Sequence, residues 1–393
     1  MLYRPDAFEP LTQTPWEEQR VRAAIRRIVA DVDEAFDADA LWPADEWDGW
    51  QATLPMKNLY VGAAGVIWTL DVLRRREHAH TQIDLAAAAA RTLAAFREAP
   101  DFMAGEVLPS PPESALLTGE TGILLIAWRL APSAHLERDL LARVHANLDN
   151  EADELMWGTP GTLLAARVMH TWTGGEQWRD ACNESAEALW RRRDPDGYWT
   201  HRLYGVTYRG LGPAHGVVGN VLTLLDVLDA ERRARLERET AALLERESVV
   251  EHGLANWPID AGDDLATDDG EIRVQWCAGA PGIVTCSASY LDDELLEAGA
   301  ELAWRTGPPN SEKGPGICHG TAGNGYAFLK LFARTGDERW LERARRFTMH
   351  ALEQVERRGH GRYSLWTGDL GVAVFAADCL EARTAYPVLE TSD

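Results

Sequence analysis

The chain has 393 residues, 46% hydrophobic and 26% charged, a globular balance that excludes wholesale disorder and collagen-like architecture. With 62 acidic against 39 basic residues its formal charge is −23, which repels phosphate backbones and anionic bilayers and excludes nucleic acid and membrane as expected partners. Length alone suggests two or three domains unless an internal repeat organises the whole chain.

The opening residues MLYRPDAFEP lack the basic and apolar regions of a secretory signal, and no stretch approaches the roughly 18 apolar residues of a membrane span, so a cytoplasmic protein is expected. In chain order, the amphipathic segment EEQRVRAAIRRIVADVDEAF from Glu17 predicts a half-exposed helix. Gly62 and Gly65 follow, leading into the apolar run VIWTLDVL. The G-x-x-G spacing recurs at Gly119/Gly122, Gly158/Gly161, Gly216/Gly219, Gly279/Gly282, Gly320/Gly323 and Gly368/Gly371, each time before an apolar run such as ILLIAWRL or VAVFAADCL. Thirty-three glycines scattered at random would give roughly three such pairs, so seven in regular array mark a repeat. Amphipathic segments such as HLERDLLARVHANL from His135 and DERWLERARRFTMHALEQVERR from Asp337 alternate with these runs. Seven hairpins, each pairing a half-exposed with a fully apolar helix, bury every apolar face by closing into a ring. The expected fold is all-α, an α/α toroid of seven helical hairpins forming one domain over residues 1–393.

The glycines then open the inner helices at one end of the ring. Reading the two residues before each first glycine places Leu59-Tyr60 in the first repeat, Ala214-His215 in the fourth, Cys277-Ala278 in the fifth and Cys318-His319 in the sixth. Two cysteines share one slot in adjacent repeats, and two histidines share the next. A closed ring brings Cys277, Cys318 and His319 together, a Cys₂His set that binds one zinc ion and leaves a fourth position open. Cys182, Cys286 and Cys379 read as small core residues, and an odd, sparse set of five cysteines does not suggest a disulfide framework. His215 reads as a general acid or base in preference to a satisfied structural histidine.

The segments GPAHGVVGN at Gly212, RVQWCAGAPG at Arg273 and KGPGICHGTAGNGYAFLKLF at Lys313 resemble the signature blocks of the lanthionine synthetase C-like family. The resemblance implies a zinc toroid in which a thiol adds to dehydroalanine or dehydrobutyrine in a peptide or protein, forming a thioether. It assigns zinc to Cys277, Cys318 and His319 and proton handling to His215. It also matches Arg273, suited to a developing enolate, and Glu154, where peptide cyclases carry Asp. Glu154 reads equally as a group orienting His215 or Arg273 and as an ordinary helix-start carboxylate. Ala278 departs from the Tyr or His that bacterial cyclases carry after the first zinc cysteine. Lys313 and Arg4 match residues associated with glutathione in the stand-alone branch, which makes glutathione the expected thiol donor.

Three other readings are compatible with the sequence. A lanthipeptide cyclase would use a cysteine of the same peptide as nucleophile. A non-catalytic zinc protein would bind glutathione or a partner without turnover. The 16 tryptophans and the acidic stretch DAGDDLATDDGE from Asp260 suit a toroid glycoside hydrolase, although that stretch reads better as a solvated connection.

Overall fold

The computed structural model describes residues 1–49, 52–102 and 112–390. Among these, fourteen helices alternate in two concentric rings. The outer ring comprises α1 (Glu18–Ala35), α3 (Leu85–Glu98), α5 (Ala134–Ala146), α7 (Glu176–Arg192), α9 (Ala230–Glu247), α11 (Asp293–Thr306) and α13 (Glu338–Arg358). The inner ring comprises α2 (Ala63–Arg75), α4 (Glu120–Leu130), α6 (Thr159–Thr173), α8 (Val217–Leu224), α10 (Ala280–Ser287), α12 (Thr321–Thr335) and α14 (Asp369–Glu381). Each inner helix packs on the next, and α14 packs on α2 to close the circle. The α/α toroid expected from the repeat is the fold observed.

Composition explains which ring a helix joins. Outer α13 buries a stripe through Trp340, Ala344, Phe347 and Ala351, whereas inner α14 is buried continuously from Asp369 to Cys379. Several outer helices begin at an Asp or Ser whose side chain accepts from the first turn, as at Asp84, Ser133, Asp229, Asp292 and Asp337. Inner helices begin at the repeat glycines, and their free N–H groups are met by backbone instead. Ala63 and Ala64 donate to the carbonyls of Met56 and Lys57, Val217 and Val218 to Gly210 and Leu211, and Thr321 and Ala322 to Gly314 and Pro315. A loop that returns two carbonyls seven residues later leaves no room for a β-carbon at the helix start. At Gly282, one turn into α10, a methyl group would fall on the Trp276 carbonyl oxygen and the Pro213 ring. Gly282→Ala is expected to lower stability by about 3 kcal/mol, read as a reduced urea midpoint.

Two short hairpins interrupt the helical pattern: β1 (His201–Leu203) with β2 (Val206–Tyr208), and β3 (Val249–Glu251) with β4 (Leu254–Asn256). Asn256 in β4 accepts from the N–H of Ala280 (2.9 Å) and donates to the Arg273 carbonyl (3.1 Å), so it caps α10 and pins the preceding loop. Gly279 in that loop has φ +103°, a conformation glycine adopts without strain. The centre of the toroid is filled by aromatic rings. Trp276 stacks on Tyr386 at 4.7 Å, and the Tyr386 hydroxyl donates to the Ile317 carbonyl (2.6 Å), so the last described segment plugs the ring. Trp178, Trp199, Trp257, Trp276, Trp340 and Trp366 are fully buried, so these six indoles serve packing and not a sugar-stacking platform. No helix among the described residues is long and apolar enough to cross a membrane.

Candidate active site

The loops entering the inner helices are joined edge to edge. Cys277 N–H donates to the Cys318 carbonyl (3.1 Å), Cys318 N–H to Trp366 (2.8 Å), Trp366 N–H to Tyr60 (3.2 Å) and Tyr60 N–H to Leu117 (2.8 Å). This backbone chain, running from the fifth repeat through the seventh and back to the second, fixes the pre-glycine residues at one end of the toroid. Five residues of equivalent register are therefore neighbours in space although the sequence separates them widely.

The ligand atoms of Cys277, Cys318 and His319 all lie within 4.8 Å of one another, the one such metal-capable group among the described residues. The His319 Nδ1 is 3.5 Å from the Cys277 sulfur. Two ligands of one tetrahedral zinc ion would be separated by about 3.6 Å on ordinary bond lengths, so this spacing suits the ion. The surroundings suit it too. Tyr60 donates its hydroxyl to the Cys318 sulfur (3.0 Å), and Gln275 donates its amide to the Cys277 sulfur (3.0 Å). Each sulfur thus receives a hydrogen bond from a side chain outside the cluster, as suits a metal-bound thiolate. The hydrogen bond from Cys318, against opposing burial and with help from His319, holds Cys277 well below the ordinary thiol range. Burial, then the hydrogen bond and charge of Cys277, push Cys318 up, so the two thiols titrate as a coupled pair. The other cysteines, Cys182, Cys286 and Cys379, are buried and unpaired, with burial raising each thiol.

His215 and Glu154 meet. His215 Nδ1 lies 2.6 Å from a Glu154 oxygen, and the same carboxylate accepts from the N–H groups of Met156 (3.0 Å) and Trp157 (2.6 Å). Glu154 is fully buried, whereas 35% of the His215 side chain reaches solvent. Of the open readings of Glu154, the geometry joins it to His215 while also stapling its own turn, and among the described residues no hydrogen bond or ion pair joins it to Arg273. Burial acts to lower the His215 pKa, but the Glu154 carboxylate outweighs it and holds the imidazole above its usual value. Among the described residues the second ring nitrogen makes no hydrogen bond. Tyr204, at the β1–β2 turn, sets its ring 6.0 Å from that of His215 and accepts from the Trp157 indole (3.0 Å).

Beside His319 opens a cleft of about 340 Å³ whose walls include Arg4, Glu271, Arg273, Gln275 and Lys313. The expected binding cations therefore share one cleft with a metal-ligand candidate. They are not bare: Lys313 lies 2.8 Å and Arg273 3.4 Å from opposite oxygens of Glu271, and Arg4 lies 2.8 Å from Asp6. The stretch from Asp260 is thus not simply a solvated connection. Its end is an ordered turn in which Thr267 N–H donates to the Glu271 carbonyl (2.9 Å), and it delivers Glu271 into the cleft.

A family model described as lanthionine synthetase C-like protein matches residues 13–390. The chain belongs to the lanthionine synthetase C-like family. Among relatives, it is 35% identical over 139 residues to glutathione S-transferase LANCL1 of Danio rerio, covering 31% of this chain and 33% of that one. It is 27% identical over 256 residues to LanC-like protein GCL1 of Arabidopsis thaliana, covering 60% of this chain and 57% of that one. The matches thus span a third and just over half of these curated relatives. Among solved structures, nisin cyclase superposes with a TM-score of 0.62 at 14% identity, covering 92% of this chain and 94% of that one, a likeness of fold.

Within this family fold, sequence reading missed Tyr60, Gln275 and Glu271. Tyr60 sits two residues before Gly62, the slot of Cys277 and Cys318, and setting Leu59-Tyr60 before that glycine slips the first repeat by one position. Tyr60→Phe keeps the ring and removes one donor to sulfur. It is expected to weaken zinc binding about tenfold without unfolding, measured by competition with a chelating dye.

Proposed function

We propose that the chain adds glutathione to dehydroalanine or dehydrobutyrine residues of peptides or proteins, forming a thioether. The observation that carries this reading is the convergence of Cys277, Cys318 and His319 with the His215–Glu154 pair and a cation-lined cleft at one end of the toroid. Zinc held by Cys277, Cys318 and His319 would keep a substrate thiol deprotonated at neutral pH. In the addition, sulfur bonds to the β-carbon of the alkene, and the α-carbon must gain one proton. His215, its Nδ1 anchored on Glu154, presents the protonated imidazole that donates it. Arg273 offers its guanidinium to the amide oxygen on which negative charge develops. Lys313 and Arg4 suit the two carboxylates of glutathione.

The relative named as a glutathione S-transferase supports the choice of thiol. The fold shared with nisin cyclase keeps intramolecular ring formation as the second reading. Incubation of the zinc-loaded protein with glutathione and a dehydroalanine peptide separates them. A mass gain equal to glutathione, faster than in a protein-free control, is expected. Loss of a peptide's own free thiol without mass change, and no reaction with glutathione, would replace the transferase with a cyclase. Tight glutathione binding with no acceleration would leave a binding protein.

A further inference from the structure

Glu271 bridges the two cations that the proposed reaction employs differently. One oxygen is 2.8 Å from the Lys313 ammonium, placed to hold the thiol donor, and the other is 3.4 Å from the Arg273 guanidinium, placed for the electrophile. All three side chains keep about a third of their surface exposed, 32% for Glu271, 35% for Lys313 and 36% for Arg273. Exposed pairs of this kind are weak and exchange readily. The buried Lys57–Asp101 pair, at 1% and 0% exposure, shows by contrast what a permanent bridge looks like in this fold. Arg4, the remaining cation of the cleft, is likewise tied to Asp6 and reaches the Gly270 carbonyl (3.4 Å), next to Glu271. The cleft therefore supplies its own carboxylates to every cation that an incoming carboxylate would need.

We infer that Glu271 is a built-in stand-in for the thiol donor's carboxylate and thereby a specificity-determining residue. This rests on the transferase reading. A thiol bearing a carboxylate displaces Glu271 from Lys313, and the loosened side chain gives up Arg273 to the electrophile. A thiol of similar size whose carboxylates are esterified has nothing to offer Lys313, so Glu271 stays and Arg273 remains engaged. The residue acts through its neighbours and touches neither sulfur nor alkene; it couples recognition of the donor to release of the cation that meets the acceptor.

The test compares glutathione with its diethyl ester as donors to one dehydroalanine peptide, in wild type and Glu271→Gln, both zinc-loaded. Wild type is expected to favour glutathione by about tenfold or more in kcat/KM. Glu271→Gln, which keeps the shape but not the charge, is expected to lower KM for glutathione several-fold and raise kcat with the ester several-fold, compressing the preference. Glu271→Asp, shorter but still charged, is expected to retain most of it. An unchanged ratio in Glu271→Gln overturns the inference. Calorimetry with S-methylglutathione, which has no free thiol, separates this failure from that of the transferase reading. If wild type accelerates neither donor, the transferase reading falls; the stand-in role then survives only if Glu271→Gln binds S-methylglutathione several-fold more tightly than wild type, and equal binding overturns it.

Discussion

Cys318→Ala is expected to reduce bound zinc from about one ion per chain to nearly none and to lower the rate of thiol addition by at least about 10³-fold. Its sulfur is one corner of a three-ligand set whose members come from adjacent repeats, and two remaining ligands hold zinc poorly. The fold should persist. Cys318 is buried, so its loss leaves a small cavity costing about 1 kcal/mol, but the toroid is closed by helix packing and by the backbone chain through Trp366 and Tyr60, which uses no side chain of residue 318. The larger thermal effect follows from linkage: an ion that binds only the folded chain stabilises it, so the wild-type melting temperature should rise with added zinc and that of the variant should not. Metal content by mass spectrometry, paired with far-ultraviolet circular dichroism, checks the prediction. Cys286→Ala, also a buried free thiol but outside the cluster, should keep its zinc. Equal zinc in Cys318→Ala and wild type would remove the metal centre from the proposed chemistry.

The ring was legible because two independent signals agree: glycines at a fixed spacing, and apolar runs alternating with amphipathic ones. Burial of Trp340, Ala344, Phe347 and Ala351 on one stripe of α13, against unbroken burial along α14, is the physical form of that alternation. The cluster of Cys277, Cys318 and His319 was legible for the same reason, since residues at matching register in neighbouring repeats come together. Tyr60 obeys the same rule, yet a one-residue slip in aligning the first repeat hid it. Glu271 was hidden differently. An ion pair between a loop residue and Lys313, 42 positions on, leaves no periodic trace, and a cluster of acidic residues reads as a solvated run whichever member turns inward. The three-residue strands of β1 to β4 are too short for alternation to show, so the hairpin that sets Tyr204 beside His215, and the Asn256 that pins Arg273's backbone, emerge only in three dimensions. Glu154 lay between these cases: the sequence left it open between orienting His215 or Arg273 and merely starting a helix, because its partner depended on the third and fourth repeats being adjacent.

Glu154→Gln is expected to slow addition about 10²- to 10³-fold near pH 7.5 and to change the shape of the pH profile, which a purely structural role would not do. In the proposed reaction the proton donor is the charged imidazole of His215. Burial works against that charge, and the neighbouring carboxylate of Glu154, 2.6 Å from Nδ1, works for it and prevails, so the wild-type pKa stands above the ordinary 6.5. The rate should therefore fall on the alkaline side as pH passes this raised value. With Gln in place of Glu the favourable charge is gone and burial remains, so the alkaline limb should move to lower pH, leaving little protonated imidazole at neutrality. The stability profile carries the same sign. A histidine whose folded pKa is raised stabilises the fold below its unfolded pKa, and that contribution fades as pH climbs through the folded value. The stability difference between wild type and Glu154→Gln should thus be larger at pH 5.5 than at pH 8.5 by denaturant titration. His215→Asn separates donor from scaffold: it leaves Glu154 bonded to the Met156 and Trp157 amides, and should abolish the alkaline limb altogether with a loss of about 10²- to 10⁴-fold while zinc stays bound. A Glu154→Gln enzyme whose alkaline limb stays where it is in wild type would mean that the proton reaches the α-carbon from another group.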